Sequence, residues 1–373
     1  MAQTTETNRK DPPPVFLSSS PHFVSPVNSR RLMGNMLIAL TPVSVYGVII
    51  FGLPALLNII VSVASAILGE ALFRLITRQD VRAADLSAGV TGLLLALIIP
   101  PSTPFWMTAL GAVFAVVVAK EFFGGLGANV FNPALIGRAF LLMSFPAALT
   151  KWHFPQMVFP ALTNWYFPQG YFVTKFTDAM GNTALVDGVS GVTPMNILKA
   201  GSGVAGIGKV FVAAKLSASG DYWSTIETLF LGRHAGSIGE SSILLILAAL
   251  VFLLITKTID WRAPVGMIAA GVLVSWLIPG LDPLVSILGG GLMFGAVFMA
   301  TDYVSAPLTA KGKLIFGFGA GLITVLIRKW GNYPEGVTYG ILIMNALTPF
   351  LNRLLRKKYG FVPPKKGAQG AAG

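Results

Sequence analysis

The chain has 373 residues, of which 54% are hydrophobic and only 11% charged, and its mean hydropathy is +0.72. Soluble domains carry about 25% charged residues, so this deficit and the long uncharged apolar runs exclude an ordinary soluble enzyme and mark a polytopic membrane protein. The absence of cysteine excludes a disulfide, a thiolate-held iron–sulfur cluster and thioether-attached haem within the chain. His22, His153 and His234 are too scattered to suggest a metal centre. The net charge of +12 shows no basic stripe with interleaved aromatics, so it points to cytoplasmic loops and not to nucleic acid.

Residues 1–30 are polar and lack a short apolar core before a small-residue cleavage site, so the first spanning segment is expected to do the targeting. Ten apolar runs follow, at about 35–52, 54–76, 85–100, 104–119 and 133–149, then, after a polar stretch, 243–257, 264–279, 285–300, 314–328 and 336–352. Arg30, Arg31, Arg78, Arg82, Lys120, Lys257, Arg262, Lys311, Lys313 and the tail from Arg353 to Lys366 all fall on one side of such a chain. Among the short loops of the other side only Arg328 and Lys329 are basic. The positive-inside rule therefore predicts cytoplasmic termini and an outer 150–242 segment. The expected organisation is a cytoplasmic segment (1–34), a five-helix half (35–149), the extracytoplasmic segment, a second five-helix half (243–352) and a basic tail (353–373). A gapless likeness between TGLLLALIIPPSTPF (91–105) and AGVLVSWLIPGLDPL (270–284), assigned to helices three and eight, suggests that the halves are inverted repeats.

Glu70 has Arg74 one turn on and is expected to pair with it. In GGLGANVFNPALIGRAF (124–140), Asn132 suits a helix cap and Pro133 a first helical turn. That stretch reads either as an unwound entry into the membrane region or as a tight interhelical loop. FMATDYVSAPLTAKGK (298–313) is a second polar break, where Asp302 serves an ion path or caps and solvates the membrane edge. GSGVAGIG (201–208) has dinucleotide spacing, but no hydrophobic strand leads into it, and we read it as coincidence. GRHAGSIGESS (232–242) precedes the sixth helix. Its Gly236 to Gly239 turn offers backbone N–H groups to an anion, or simply starts a helix capped by Ser237 or Ser241 with Glu240. DGVSGVTPMN (187–196) holds a small-residue threonine with no adjacent base, so Thr193 reads as an exposed acceptor for an external enzyme or as an ordinary turn.

DGVSGVT resembles the D-x-x-S/T-G-A-T signature on which a flavin transferase links FMN to threonine through its phosphate. With SPH at 20–22, GGLGANVFNPA, GSIGESS and ATDYVSAPLT, nearly the whole chain is similar to the RnfD/NqrB family. Within that family it resembles the D-type membrane component of Rnf ion-translocating oxidoreductases more than the related B-type component of Na+-translocating NADH:quinone oxidoreductase. One departure is Val192, where the signature has alanine. The resemblance implies an all-α inner-membrane protein that carries covalent FMN as a phosphodiester on Thr193, with Asp187, Ser190 and Gly191 shaping the loop. It also implies a riboflavin nearer the cytoplasmic side, other Rnf subunits bearing flavin and iron–sulfur centres as partners, and electron relay coupled to Na+ or H+ movement. To this we add the expectation that Gly236, Ser237 and Gly239 receive phosphate or flavin oxygens. Trp152, Trp165 and Tyr166 would cover the ring or belong to the interfacial aromatic belt. A channel or solute transporter without a redox role is the competing class. It would explain the breaks and the repeat but not the flavinylation-like motif.

Overall fold

The computed structural model describes residues 28–80, 85–152, 175–177, 183–185, 193–199, 203–213, 219–232, 234–331 and 336–355. Asp187, Ser190, Gly191 and Val192 of the signature, Trp165, Tyr166, the SPH triplet and the tail beyond residue 355 lie outside them.

Helix occupies every apolar run. In chain order these are α1 (Ser29–Phe51), α2 (Leu53–Ile76), α3 (Ser87–Ile98), α4 (Phe105–Val117) and α5 (Pro133–Ser144), the last followed by the short α6 (Pro146–Leu149). The outer segment contributes β1 (Lys175–Thr177), β2 (Thr183–Leu185), α7 (Pro194–Lys199), α8 (Gly203–Ala213) and α9 (Tyr222–Leu231). Then come α10 (Ile243–Ile255), α11 (Arg262–Leu277), α12 (Pro283–Leu288), α13 (Leu292–Phe294), α14 (Ala310–Trp330) and α15 (Val337–Leu355). Among the described residues four helices are long and apolar enough to cross a membrane: Ser29–Phe51, Leu53–Ile76, Phe105–Phe123 and Ala310–Trp330. Their outer faces carry bare Leu68, Leu72, Ile76 and Trp330, and Trp276 is bare on α11, a surface that suits lipid and not water. The fold is thus that of a helical integral membrane protein. The all-α expectation misses one feature, the antiparallel pair β1–β2, in register Lys175↔Leu185.

The core lies along α3 and α13, whose residues are almost all buried. α2 packs on α3 and α4, while α14 packs on α11 and α15, and α11–α14 is the most extensive pair. Small residues allow the close approach: a Cβ on Gly92 would stand 2.8 Å from the Ser62 carbonyl oxygen, and the Ser62 hydroxyl donates to the Gly92 carbonyl at 2.6 Å. The chain between α3 and α4 is non-helical yet buried, so its carbonyls need donors. Asn58 supplies them, donating to Pro101 O at 3.0 Å and Thr103 O at 3.2 Å while it accepts from Thr108 Oγ1 at 2.6 Å.

The structure departs from the sequence reading in two places. Residues 285–300, expected as one helix, are interrupted by Gly289–Gly290–Gly291, with Gly290 at φ +70°, and resume as α13 and a π-turn at Gly295–Met299. The second member of the proposed repeat, 270–284, covers the end of α11 and the start of α12. That pairs the third helix of the series with the seventh, so this alignment does not carry a five-helix offset.

In the outer segment α7, α8 and α9 gather Met195, Leu198, Ile207, Phe211 and Leu229 against Val285 of α12. The glycines of GSGVAGIG from Gly203 on lie within α8, where Gly208 packs against Gly220, so the described residues there form a helix and no strand–loop–helix.

Asp260, in the turn before α11, accepts from Arg262 Nη1 at 2.9 Å and Lys313 Nζ at 3.2 Å, tying α11 to the start of α14. Burial works against its carboxylate, but the Arg262 N–H and the two cations outweigh it and hold the pKa below the usual value. A lowered folded pKa stabilises above the unfolded value, about 3.9, and that contribution is lost as pH falls through the folded one. Asp260→Asn is therefore expected to lower the melting temperature at pH 7 by the equivalent of up to about 1 kcal/mol. The gap to the wild type should close as the melts are repeated toward pH 3.

Candidate functional site

Thr193 starts α7. Its carbonyl accepts from Asn196 N at 2.9 Å, and its Oγ1 lies 3.3 Å from the same N–H, the arrangement of a helix cap ahead of Pro194. The sequence led us to expect an exposed threonine. In the structure it is 3% exposed, because Pro194 and Met195 behind it dock onto the glycine triplet. A Cβ at Gly289 would stand 2.7 Å from Met195 Cε, and one at Gly290 would stand 3.3 Å from Met195 Cγ and 2.8 Å from Arg328 Nη2. One at Gly291 would stand 2.7 Å from Glu240 Oε1. Three consecutive glycines therefore draw together the Thr193 helix, the end of α14 and the Gly236–Glu240 turn.

That turn is a short 3-10 helix, Ile238–Glu240, and of the two readings the sequence offers it takes the helix start capped at Ser237 with Glu240, not the open cradle of N–H groups. Glu240 folds back so that its Oε2 accepts from Ser237 N at 3.5 Å, and the carboxylate lies over Gly236. Gly239 is wedged between Phe294 and Leu97, where a Cβ would stand 2.8 Å from the phenylalanine ring. The cap of α10 is Ser242, which accepts from Leu245 N at 3.4 Å. What the turn offers a ligand is side-chain chemistry: Ser237 is 1% and Glu240 4% exposed, and Glu240 Oε1 finds no hydrogen-bond partner among the described residues. Buried polar atoms left so are costly, and a bound group rich in hydroxyl and N–H functions would satisfy them. Trp152, expected to face a ring or the interface, is 3% exposed, so it does not stand in the aromatic belt.

At the other end of α3 and α14 the two polar breaks meet. Asn132 caps α5, accepting from Ala134 N at 3.1 Å and Leu135 N at 3.4 Å, with Pro133 in the first turn as the sequence predicts. Its Nδ2 donates across to Met299 O at 3.4 Å, at the end of the π-turn. Between the breaks and the first half of α3 lies a small cavity of about 50 Å³, whose polar lining includes Ser87, Thr91, Lys120, Asn129, Asn132 and Asp302. Asp302 Oδ2 also accepts from Ser305 Oγ at 2.7 Å, so the residue both caps its own turn and lines the cavity.

Lys120 belongs as well to a buried cluster of charges. Its Nζ donates to Glu70 Oε2 at 2.9 Å and to the Ser87 hydroxyl. Arg74 pairs with Glu70 at 3.3 Å, as its position one turn on implies, and more closely with Glu121, through Nε at 3.0 Å and Nη2 at 3.2 Å. Lys120 and Glu121 escaped the sequence reading, which took the lysine for a loop charge.

The NQR2, RnfD, RnfE family model matches residues 16–360. Among curated proteins, the D-type component of the proton-translocating ferredoxin:NAD(+) oxidoreductase complex of Clostridium ljungdahlii is 38% identical over 351 residues, 92% of this chain and 96% of its own. The D-type component of the Na(+)-translocating ferredoxin:NAD(+) oxidoreductase complex of Acetobacterium woodii is 37% identical over 358 residues, 95% and 98% of the two chains. The corresponding component of the ion-translocating oxidoreductase complex of Stutzerimonas stutzeri is 36% identical over 339 residues, 88% and 92% of the two. A helical membrane fold, two buried polar sites at opposite ends of its core and a family match along nearly its whole length agree: the chain belongs to the NQR2, RnfD, RnfE family.

Proposed function

We propose that this chain is the D-type membrane component of an ion-translocating oxidoreductase complex working between ferredoxin and NAD+, and that it carries FMN as a phosphodiester on Thr193. The observation that carries the flavin reading is the gathering of Thr193 with the buried Glu240, whose Oε1 has no hydrogen-bond partner among the described residues, around Gly289–Gly291. Flavin, when bound, supplies one-electron chemistry that no side chain of this cysteine-free protein offers. The chain's part is to hold and shield it. Thr193 anchors the phosphate, and Asp187, Ser190 and Gly191 shape the acceptor loop. Ser237 and Glu240 hydrogen-bond the ribityl or ring N–H and hydroxyl groups, and Gly236 and Gly239 let the turn pack closely.

In this reading the termini are cytoplasmic, the Thr193 segment is outside, and ten helices form two inverted five-helix halves. The packing supports those halves better than the sequence likeness does. The second and fourth helices of each set, α2 with α4 and α11 with α14, are the most extensive pair within it, and the fourth and fifth pack in both. A second flavin, riboflavin, would lie nearer the cytoplasmic side. Other Rnf subunits bearing flavin and iron–sulfur centres deliver and accept electrons, a flavin transferase matures Thr193, and Na+ or H+ crosses as electrons pass. Lipid covers the bare apolar faces.

The test is in-gel flavin fluorescence after denaturation, with wild type and Thr193→Ala each co-expressed with the flavin transferase. A band in the wild type that vanishes in the variant is the expected result. A dark wild-type band, with the transferase active on a control substrate, would remove the covalent flavin from this reading.

A further inference from the structure

Lys257 holds a backbone conformation that suits glycine. α10 ends in a Schellman motif, in which the Lys257 N–H donates to Leu254 O at 3.0 Å and the Thr258 N–H to Leu253 O at 2.9 Å. Lys257 is left-handed there, at φ +53°, where glycine is the usual residue because a Cβ is strained. Strain held at a non-glycine residue points to a role for its side chain. Lys257 lines an open groove of about 650 Å³ between the end of α10 and the starts of α11 and α14, at the opposite end of α14 from the Thr193 helix. Arg262 and Lys313 line it too, and the one carboxylate among its described lining, Asp260, is already shared by those two. Three cations thus face one occupied acid. Tyr303, also in the lining, donates its hydroxyl to the Thr258 carbonyl and ties the second polar break to this turn, so the groove is preformed.

The groove also has an apolar wall. Trp261 lines it with its ring bare, and the Arg262 guanidinium lies 5.3 Å from the ring centroid. Trp261 and Trp276 stand bare at the two ends of α11, about 22 Å apart, with bare Val265 one turn on from Trp261. Tryptophans so placed mark the membrane–water boundary, which sets the cations at headgroup level and Val265 among acyl chains. We propose that this groove binds one anionic phospholipid, its phosphate against Lys257, Arg262 and Lys313 and an acyl chain along Trp261 and Val265. A zwitterionic headgroup fits worse, since its ammonium would enter a cluster of net positive charge whose carboxylate is taken. The end of α2 gives the contrast within the chain. Arg78 there is left-handed in the same motif, at φ +55°, but the opening beside it is lined by Arg74, Gln79, Asp80 and Gly124. That described lining has no apolar side chain, and so no berth for an acyl chain.

A helix C-terminus favours a cation whether or not lipid binds, so the test must separate a lipid partner from a structural charge. The full-length chain is stripped of lipid in detergent and melted alone, with phosphatidylglycerol, with phosphatidylcholine and with inorganic phosphate. Wild type, Lys257→Gly and Lys311→Gln are compared. Glycine keeps the left-handed turn and removes only the side chain, while Lys311 is an exposed cation near Lys313 that does not line the groove. Phosphatidylglycerol is expected to raise the wild-type melting temperature more than phosphatidylcholine does, and inorganic phosphate to leave it unchanged. Lys257→Gly should lose at least half of the extra gain, and Lys311→Gln should keep it. Native mass spectrometry should find one phosphatidylglycerol retained on the wild type and on Lys311→Gln but not on Lys257→Gly. Should the glycine variant not accumulate, Lys257→Asn takes its place, since asparagine also tolerates the left-handed region. Equal gains from the two lipids would overturn the proposal and leave the groove to an acidic segment of a partner. An equal gain from inorganic phosphate would overturn it in favour of a soluble anion. Equal losses in Lys257→Gly and Lys311→Gln would overturn it by reducing the effect to the general surface field.

Discussion

Glu121→Ala is expected to leave the chain largely unfolded at temperatures where the wild type is stable in detergent. Glu121 is one of four buried charges, two of each sign, with Glu70, Arg74 and Lys120, each between 2% and 6% exposed. The cluster is neutral as a whole, and nearly every oxygen and N–H within it is used. Arg74 gives Nε and Nη2 to Glu121 and Nη1 to the Asp80 carbonyl at 3.2 Å, while Lys120 gives its ammonium to Glu70 and Ser87. Removing one carboxylate leaves two buried cations, Arg74 and Lys120, to share Glu70, and breaking a buried pair in this way costs about 3–5 kcal/mol. Glu121→Gln keeps an acceptor for one Arg74 N–H and should fall between wild type and alanine. The double variant Arg74→Met/Glu121→Met, which removes both members of the pair, is expected to be more stable than Glu121→Ala. Melting curves of the four proteins check the ordering. A Glu121→Ala protein that melts with the wild type would show that water or lipid headgroups reach the cluster.

This cluster also shows what sequence alone can reach. Glu70 and Arg74 are one helical turn apart, so their pairing is legible from spacing. Glu121 lies 47 residues from Arg74 and becomes its closer partner only because α4 folds back along α2. Lys120 has the composition of a loop marker and the position of a buried one, since the 3-10 turn at Glu121–Phe123 carries it inward. At the Thr193 site the acceptor was legible through its motif, and Asn132 and Pro133 through capping chemistry. Gly289–Gly291 was not. A glycine run inside an apolar segment has a local reading that suffices, and only the tertiary approach of α7 gives it a second one. The Gly236–Gly239 turn was legible as a start capped at Ser237 with Glu240, but the wedging of Gly239 between Phe294 and Leu97 was not, since both partners are remote in sequence.

Gly321→Leu is expected to prevent assembly of the second half of the protein, with Gly317→Leu equivalent. Lipid tails are as apolar as the helix faces, so α11 and α14 gain little from leaving lipid and are held by close contact of their backbones. Gly317 and Gly321, one turn apart, make that contact possible. A Cβ on Gly317 would overlap the Ala263 carbonyl oxygen, and one on Gly321 would overlap that of Met267. From the other side, Gly266 comes so near α14 that its Cβ would stand 2.6 Å from Leu314 O. Backbone, unlike a flexible side chain, cannot swing aside, so even Gly321→Ala should cost about 1–3 kcal/mol, the usual penalty of overpacking, and leucine would force the helices apart. The control is Gly89→Ala on α3, where nothing lies within 4 Å of the added carbon; it should be neutral or gain up to about 1 kcal/mol from helix propensity. The second readout is flavin shielding, because the end of α14 meets the Thr193 helix at Gly290. A partly folded Gly321→Ala protein should retain covalent flavin at Thr193 while its iodide quenching rises, since a displaced α14 opens that contact without touching the acceptor. Melting and shielding that both match the wild type would mean that α11 and α14 are not in backbone contact as described.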